Sequence, residues 1–321
     1  MEKTNILVLG LLKTGSSALI DLLKEYECFG LIPDEFNDYR APGLVADQLT
    51  FTPDDIFPNK IEKITHFKQK LRLIYNLFPI FELKKIKNSS FKDRFYFSKK
   101  RIKELNSLKS LNKKLISKDE LEDKIHHTRL WIKNLGVIHA KNKPYILFNQ
   151  PLETVNDIDI WKKVFFPFKL IVVLRDPKDQ LADIINFGYL YETFGDPFMT
   201  LSGVTLETIY GRNRAGALNF HIDAIKRRLE WVDSLKNHLE PDSLLLIDFK
   251  DLTVNYDETL NAIEEFIKGM KNKHNKKKLF FDPKTGQKSI GIYNEFLNKK
   301  ELKSIIELEE LYEKLVGANS E

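Results

Sequence analysis

The sequence has little of three features that would each point to a different class of protein. It contains one cysteine, Cys28, in 321 residues, which excludes an intramolecular disulfide framework and favours a reducing compartment. No apolar run reaches the length of a membrane-spanning helix. The first residues enter a predicted strand without the pattern of a signal peptide. We therefore expect a cytoplasmic protein, with peripheral attachment at the inner face of a membrane left open.

Positive charge is concentrated in one part of the chain. Residues 60–118 contain 18 Lys and Arg against 4 Asp and Glu, whereas the whole chain carries a net charge of only +5. A basic segment beside an acidic remainder favours an anionic partner, such as a nucleotide, a polyanionic glycan or a membrane surface. The alternative is a set of solvated helix faces. Nucleic acid is the least favoured partner, because the basic residues are not interleaved with aromatic ones in a recognised motif.

A lysine is missing from the loop near the N-terminus. Apolar residues 6–9 precede the pattern G-x-x-x-x-G, Gly10 to Gly15, and an apolar helical pattern follows it; this predicts a strand, a phosphate-sized loop and a helix. Ser16 stands where triphosphate-hydrolysing proteins have their Lys, and Lys13 lies earlier instead. The loop keeps N–H groups for an anion but not the contact to a magnesium-bound triphosphate. The favoured ligand is a nucleotide with fewer phosphates and no metal.

Strand and helix patterns alternate along the rest of the chain and predict its fold. Residues 170–174 form a continuous apolar run, typical of a strand buried on both faces of a parallel sheet. The prediction is an α/β fold, a doubly wound and mostly parallel sheet of P-loop type flanked by helices, with ligands at the carboxyl ends of the strands. Further predicted elements are strands at 145–148 and 243–247, and helices after Pro177, over 214–238 and over 256–270.

The chain is predicted to be one domain, residues 1–321, with an insertion. Residues 60–140 show helical patterns with Lys-rich polar faces and are assigned to this insertion. The segment 33–58 is rich in Pro, Gly, Asp and Asn and is predicted to be irregular. No internal repeat is visible.

Polar residues follow three predicted strands, where a common ligand could meet them. Lys13 and the loop around it follow the first strand, Gln150 follows the second, and Arg175 follows the third. An Arg at a strand end can bind an anion through two parallel N–H groups and keeps its charge at any ordinary pH. The alternative is a structural ion pair of Arg175 with Asp176 or Asp179.

Four segments together resemble motifs of the sulfotransferases that use 3′-phosphoadenosine-5′-phosphosulfate (PAPS). They occur in the expected order and cover most of the chain outside the insertion. The resemblance is closer to the tyrosylprotein and glycan types than to the cytosolic phenol type, and a bacterial setting is expected. The segments are Lys-Thr-Gly-Ser-Ser at 13–17, Ile-Val-Val-Leu-Arg-Asp-Pro-Lys-Asp at 171–179, the stretch 244–260, and Gly-Ile-Tyr at 291–293.

The resemblance implies PAPS as donor, no metal, and a role for each matching residue. Lys13 would contact the 5′-phosphate and the bridging oxygen, and Arg175 would bind the 3′-phosphate. Lys288 and Ser289 lie where the late loop of the family closes on the donor. The residues that would hold the 5′-phosphosulfate are Thr14, Gly15, Ser16 and Ser17.

Two positions depart from the family pattern. Asp183 stands eight residues after Arg175, where many members have a Ser that donates to the 3′-phosphate. Its carboxylate would repel the phosphate, unless a Lys such as Lys178 compensates, the helix turns Asp183 away, or the ligand binds in a variant way. Gln150 replaces a Lys of the tyrosylprotein type, so a basic contact to the sulfuryl group from this position is in doubt.

Transfer to a hydroxyl needs a base near its proton. Asn149 and Gln150 occupy the position of the base in the cytosolic type and cannot take a proton. Glu35 lies about where the tyrosylprotein and heparan types have a Glu, and it is the predicted base. Arg40 would neutralise the transferring group. The alternative is that Glu35 and Arg40 form an ion pair in a solvated loop.

The leading interpretation is therefore a sulfotransferase of polysaccharide biosynthesis. Its expected acceptor is a hydroxyl of a glycan or lipid-linked saccharide, which includes capsular and cell-surface polysaccharides, and the insertion at 60–140 would form part of the acceptor cleft or lid. Two alternatives stay open: a P-loop kinase with a modified loop, and a nucleotide- or glycan-binding module without activity, which Asp183 and Gln150 favour. The oligomeric state is not predicted.

Overall fold

The structure, a computed structural model, describes residues 3–35, 118–151, 158–193, 205–271, 273–275 and 279–317. A five-stranded sheet in the order β2-β3-β1-β4-β5 lies at its centre. Every pair of neighbouring strands is parallel, which confirms the predicted α/β fold with a parallel sheet. The strands are β1 (Thr4–Gly10), β2 (Phe29–Glu35), β3 (Tyr145–Asn149), β4 (Phe168–Leu174) and β5 (Leu244–Asp248).

Helices connect the strands and cover both faces of the sheet. In chain order they are α1 (Ser16–Lys24), α2 (Lys118–His139), α3 (Ile158–Phe165), α4 (Pro177–Asn186), α5 (Leu206–Tyr210), α6 (Arg214–Leu235), α7 (Phe249–Val254), α8 (Tyr256–Phe266), α9 (Pro283–Gln287), α10 (Tyr293–Phe296), α11 (Lys299–Lys303) and α12 (Ile306–Gly317). The helices predicted after Pro177, from 214 and from 256 are confirmed, although the last two end earlier than expected.

The sheet separates two hydrophobic clusters, because successive side chains of a strand point to opposite faces. In β4, Leu170, Val172 and Leu174 belong to one cluster. Ile171 and Val173 belong to the other, and all five are fully buried. Burial of such a side chain contributes about 1.5–3 kcal/mol. The continuous apolar run is therefore the signature of a strand that packs on helices at both faces.

One strand was missed by the sequence analysis. The irregular segment was predicted to begin at residue 33, yet β2 extends from Phe29 to Glu35. Among the described strands it pairs with β3 alone and lies at the edge of the sheet, and its register shifts between Leu31 and Glu35. Pro33 is tolerated there because an edge strand does not need every N–H for pairing. The Pro that suggested a loop is thus compatible with the strand.

The described helices include none that is long and apolar enough to cross a membrane. Of the insertion predicted at 60–140, the structure describes only the part from residue 118, where α2 begins. The rest of that basic segment lies outside the described residues.

Candidate functional site

The loop after β1 has a backbone shape that few sequences adopt. Three of its residues have positive φ: Leu12 at 68°, Lys13 at 50° and Gly15 at 91°. The Thr14 hydroxyl accepts a hydrogen bond from the N–H of Leu11 at 3.0 Å, which closes the turn. Gly15 is required here, because a Cβ at this position would lie 2.2 Å from the ring atom Cδ2 of Phe249.

This shape leaves a row of backbone donors without protein partners. Among the described residues, nothing accepts from the N–H groups of residues 12–17, whereas the N–H of Ala18 already donates to the carbonyl of Gly15. Ser16 and Ser17 form the first turn of α1, where the helix dipole favours negative charge. Consecutive N–H groups in such a turn form a concave site for an anion. The predicted phosphate loop therefore has the geometry of an anion cradle.

Gln150 braces the first turn of this cradle from the neighbouring strand. It follows β3 with a φ of 52°, and its Nε2 donates to Ser16 Oγ at 2.6 Å. Its Oε1 accepts from the N–H of Gly10 at 3.2 Å. A Cβ on Gly10 would lie 2.5 Å from Ser16 Oγ, so this close packing requires glycine. Gln150, which stands where the tyrosylprotein type has a Lys, therefore supports the loop through its side-chain amide.

A second brace comes from α4 and was not predicted. Gln180 is buried, and its Nε2 donates to the carbonyl oxygens of Leu11 and Leu12. Both carbonyls belong to the part of the loop with unusual backbone shape. The sequence offered no local signal for this contact, because Gln180 lies beside the polar residues Asp179 and Asp183 on the same helix.

The Lys13 side chain is held over two aromatic rings. Its Nζ lies 4.3 Å from the ring centroid of Phe187 and 4.8 Å from that of Tyr189, and these rings stack on each other. A cation over aromatic faces is attracted by their negative quadrupole. The carbonyl of Lys13 points toward β4 and accepts from Arg175 Nη1 at 2.9 Å. The two strand-end turns that were expected to share one ligand are thus in direct contact.

The guanidinium of Arg175 is buried and engaged by three groups. Nη1 bonds both the Lys13 carbonyl and the carboxylate of Asp183, and Nη2 donates to the carbonyl of Ser289 at 2.6 Å. The side chain is 5% exposed and that of Asp183 is 13% exposed. The alternative prediction, a structural pair of Arg175 with Asp176 or Asp179, is wrong in its partner, because the ion pair is made with Asp183.

The nearby Lys178 does not compensate the charge of Asp183. It pairs with Glu309 on α12 and lies 3.6 Å from Asp176, and these carboxylates raise the pKa of its ammonium against the opposing effect of burial. Asp183 is also not turned away, since it bonds Arg175 directly. These contacts contradict two of the three explanations for Asp183, compensation by Lys178 and a side chain turned away, and a variant mode of ligand binding stays a prediction.

The late segment at 288–293 is fastened to α4 next to Arg175. Asp179 accepts from the N–H of Gly291 at 2.8 Å and from that of Tyr293 at 3.2 Å. Ser289 therefore reaches Arg175 through its carbonyl, whereas Lys288 is exposed. The structure brings Ser289 to the site, as predicted from its place in the late loop, but by its backbone.

A cavity of about 500 Å³ opens beside Arg175. Two residues connect it to the loop, since Phe249 packs on Gly15 and Arg175 bonds Lys13. Its volume lies in the range of small-molecule sites. The lining residues are Arg175, Asp176, Asp179, Asp248, Phe249, Lys250, Ile290, Gly291, Tyr293, Tyr312, Glu313, Val316 and Gly317.

The cavity wall carries more acid than base. Burial raises the pKa of the Asp176 carboxyl and, against hydrogen bonds from Tyr312 and from the N–H of Lys250, also raises the pKa of the Asp248 carboxyl. The hydroxyl of Tyr312 donates to Asp248 Oδ2 at 2.8 Å, and burial together with that carboxylate raises the pKa of the phenol. The wall is thus suited to hydroxyl and amine groups of a ligand.

Glu35, the predicted base, is the last residue of β2. Its backbone is in register with Asn149 of β3, which is in turn in register with Val8 of β1. Strands are spaced about 4.8 Å apart, so the backbone of Glu35 lies about 10 Å from β1 along the same carboxyl edge of the sheet. Arg40 lies outside the described residues.

No family model and no curated protein matches the chain. Solved structures that match the chain include four sulfotransferases, each 12% identical to it. One is sulfotransferase STF9 from Mycobacterium avium, with a TM-score of 0.40 over 93% of this chain and 78% of that chain. Another is the sulfotransferase domain of the Synechococcus PCC 7002 olefin synthase, with a TM-score of 0.38 over 83% and 74%. At this level of likeness, the function has to be argued from the site itself.

Proposed function

We propose that this protein is a sulfotransferase that moves the sulfuryl group of a nucleoside 5′-phosphosulfate to a hydroxyl acceptor. PAPS is the member of this donor class that the sequence resemblance implies. One observation carries the proposal: the loop after β1 presents the N–H groups of residues 12–17, which have no acceptor in the described part of the chain, at a helix N-terminus without the Lys of a triphosphate site. A donor with one phosphate and one sulfuryl group needs neither that Lys nor a magnesium ion.

The arrangement around the loop supports a nucleotide in a defined orientation. The cradle would hold the 5′-phosphosulfate, and the cavity beside Phe249 and Arg175 would hold the nucleoside. Aromatic rings of Phe249, Tyr293 and Tyr312 line that cavity and offer flat apolar surfaces to a base. The donor would therefore extend from the loop after β1 toward the ends of β4 and β5.

Lys13 is the residue proposed to stabilise the leaving group. In the transfer, the acceptor oxygen forms a bond to sulfur while the bond from sulfur to the bridging oxygen breaks. The electron pair stays on the 5′-phosphate, and the ammonium of Lys13, a residue of the same loop, would neutralise that charge. Phe187 and Tyr189 hold the ammonium in place, and preorganisation of this kind favours the transition state.

Glu35 is the proposed base, and it would receive the proton that the acceptor hydroxyl loses. Its place at the carboxyl edge of the sheet, in register with Asn149, supports this role. Arg40 is proposed to assist by neutralising the sulfuryl group. The proposed acceptor is a hydroxyl of a glycan or lipid-linked saccharide, which the basic segment at 60–118 would attract if it is anionic.

The proposal is tested by measuring which nucleotides stabilise and bind the protein. Thermal shift and calorimetry compare adenosine 5′-phosphosulfate, PAPS, adenosine 3′,5′-bisphosphate and ATP with magnesium. We expect at least one phosphosulfate nucleotide to bind, with affinity reduced in Lys13→Ala and unchanged in Lys236→Ala, an exposed control at the C-cap of α6. Binding of ATP with magnesium and of no phosphosulfate nucleotide would support the kinase alternative and overturn the proposal.

A second measurement separates an enzyme from a binding module. Transfer is followed with a sulfur-labelled phosphosulfate donor and a panel of neutral and acidic oligosaccharides. Labelled product that disappears in Lys13→Ala is the expected result. Tight nucleotide binding without transfer to any acceptor of the panel would favour the inactive module over the enzyme.

A further inference from the structure

The end of the site beside Arg175 is already occupied by a carboxylate of the protein itself. A guanidinium binds a phosphate by directing two parallel N–H groups at its oxygens. In Arg175, Nη1 donates to Asp183 and to the carbonyl of Lys13, and Nη2 donates to the carbonyl of Ser289. Within the described part of the chain, only Nε of this side chain is buried without a partner. Three of the five N–H groups of Arg175 are therefore engaged by the protein, one on Nε and one on Nη2 are left, and the charge of the guanidinium is balanced by Asp183.

The surrounding charges reinforce this balance. Four carboxylates, those of Asp176, Asp179, Asp248 and Glu313, line the adjoining cavity, against the basic residues Arg175 and Lys250. Lys178, which was considered as a cation that could compensate Asp183, is paired with Glu309 and Asp176. A phosphate dianion placed here would face carboxylates with too few cations to compensate them.

Asp183 has the features of an acceptor for a sugar hydroxyl. Its Oδ2 bonds Arg175, while Oδ1 accepts no hydrogen bond from the residues that the structure describes and the side chain keeps 13% of its exposure. Nucleotide sites use this difference generally: a carboxylate accepts hydrogen bonds from ribose hydroxyls, whereas an Arg free of such a partner accommodates a phosphate on the ribose. In this chain the Arg is present, but the carboxylate neutralises it.

We propose that Asp183 makes this site selective for a nucleotide whose ribose carries free hydroxyl groups, so that the preferred donor is a nucleoside 5′-phosphosulfate without a 3′-phosphate. The inference rests on the proposed function, because it assumes that the loop after β1 holds the 5′-phosphosulfate. Asp183 acts as a specificity-determining residue. Arg175 positions its carboxylate and joins it to the late segment through Ser289.

The test compares two ligands that differ only at the 3′-position. Calorimetry measures the affinity of the full chain for adenosine 5′-monophosphate and for adenosine 3′,5′-bisphosphate, and the two corresponding phosphosulfates are compared in the same way. We expect the wild-type protein to bind the 3′-hydroxyl form at least about tenfold more tightly than the 3′-phosphate form. Asp183→Ser should reverse the order, because it frees Arg175 and removes the repulsion.

Two controls keep the result interpretable. Asp183→Asn removes the charge at nearly constant shape and should reduce the preference, whereas Asp223→Asn, an exposed carboxylate on α6, should leave it unchanged. Thermal denaturation establishes that each variant is folded. If the wild-type protein binds the 3′-phosphate form more tightly, the inference is wrong while the proposed function stands. If neither adenosine nucleotide binds, the nucleotide site itself is refuted.

Discussion

The side chain of Gln150 donates a hydrogen bond of 2.6 Å to the hydroxyl of Ser16, which joins the end of β3 to the first turn of α1. The same amide accepts from the N–H of Gly10. It thus contacts both ends of the loop that forms the anion cradle. A residue that the family resemblance placed near the transferred group is, in this chain, part of the support of that loop.

Gln150→Ala is expected to weaken both the fold and anion binding. The change leaves a buried hydroxyl and a backbone N–H without their partner, which costs about 1–3 kcal/mol of the free energy of unfolding. The affinity for adenosine 5′-monophosphate should fall in parallel because the loop loses its shape. Chemical denaturation and calorimetry measure the two effects, and Asn134→Ala, an exposed amide on α2, is the control. Unchanged affinity in Gln150→Ala would contradict the bracing role.

Gly15→Ala should reduce the free energy of unfolding far more than Gly188→Ala does. Both glycines have positive φ, at 91° and 75°, but only a Cβ at Gly15 meets another group, the Phe249 ring at 2.2 Å. Backbone strain costs about 1 kcal/mol at either position, and overpacking adds about 1–3 kcal/mol at Gly15.

The contribution of the ring can be measured separately with Phe249→Leu. In a double-mutant cycle, this change should recover part of the stability lost in Gly15→Ala. The free energy of unfolding is measured by chemical denaturation. Equal losses of it in Gly15→Ala and Gly188→Ala would show that contact with Phe249 does not constrain the loop.

Lys13→Ala is expected to reduce affinity for a 5′-phosphate nucleotide roughly 10- to 100-fold, the size of a charge-assisted contact. Phe187→Ala should have a smaller effect of the same sign, because the ammonium loses one of the two rings over which it lies. Because Phe187 is 56% exposed, its replacement should leave the protein folded, so a loss of affinity can be assigned to the missing ring. Calorimetry measures the affinity of the wild-type protein and of both variants. Identical affinity in all three would show that Lys13 does not contact the nucleotide.

Glu35→Gln should bind the nucleotide as tightly as the wild-type protein and lose transfer by about 10²- to 10⁴-fold, the usual contribution of a general base. The amide keeps the size of the side chain but cannot take a proton. Single-turnover transfer and calorimetry are measured on the same preparation. Full turnover in Glu35→Gln would eliminate this residue from the mechanism.

The buried His221 predicts how stability depends on pH. Its Nε2 lies 3.0 Å from the carbonyl oxygen of Leu190, and burial, with a smaller effect of Arg228, lowers the pKa of the imidazole below 6.5. The unfolded state therefore binds a proton first as the pH falls, and the free energy of unfolding decreases below pH 6.5 by up to about 1.4 kcal/mol per pH unit.

A variant isolates this effect from that of the buried carboxyls. His221→Gln should show a flatter dependence between pH 7.5 and pH 5 in chemical denaturation, whereas His238→Gln, an exposed control, should follow the wild-type curve. If the free energies of unfolding of the wild-type protein and His221→Gln differ by the same amount at every pH, titration of His221 does not cause the pH dependence.

Local patterns in the sequence were sufficient for much of the fold and for part of the site. The apolar run in β4 and the glycine spacing of the loop determine structure over a few residues, so they could be recognised without the rest of the chain. Pro33 concealed the edge strand β2 because its tolerance depends on which strand lies beside it. Residue types alone indicated Arg175 as an anion-binding group, but its partner depends on where α4 directs Asp183.

Contacts between distant parts of the chain were not predictable from spacing. Gln180 contacts the loop at Leu11, 169 positions earlier in the chain, and no sequence pattern near either residue predicts this contact. The contact of Ser289 with Arg175 is of the same kind, since it uses a backbone carbonyl that any residue would carry. The contacts of Gln150 also join residues more than 130 positions apart in the chain.

The last helix, α12, touches the site through Tyr312 and Glu309, which bond Asp248 at the end of β5 and Lys178 on α4. One wall of the cavity beside Arg175 is thus supplied by the final turns of the described chain. Substitutions of Tyr312 or Glu309 would consequently alter this wall through the contacts of α12 with β5 and α4.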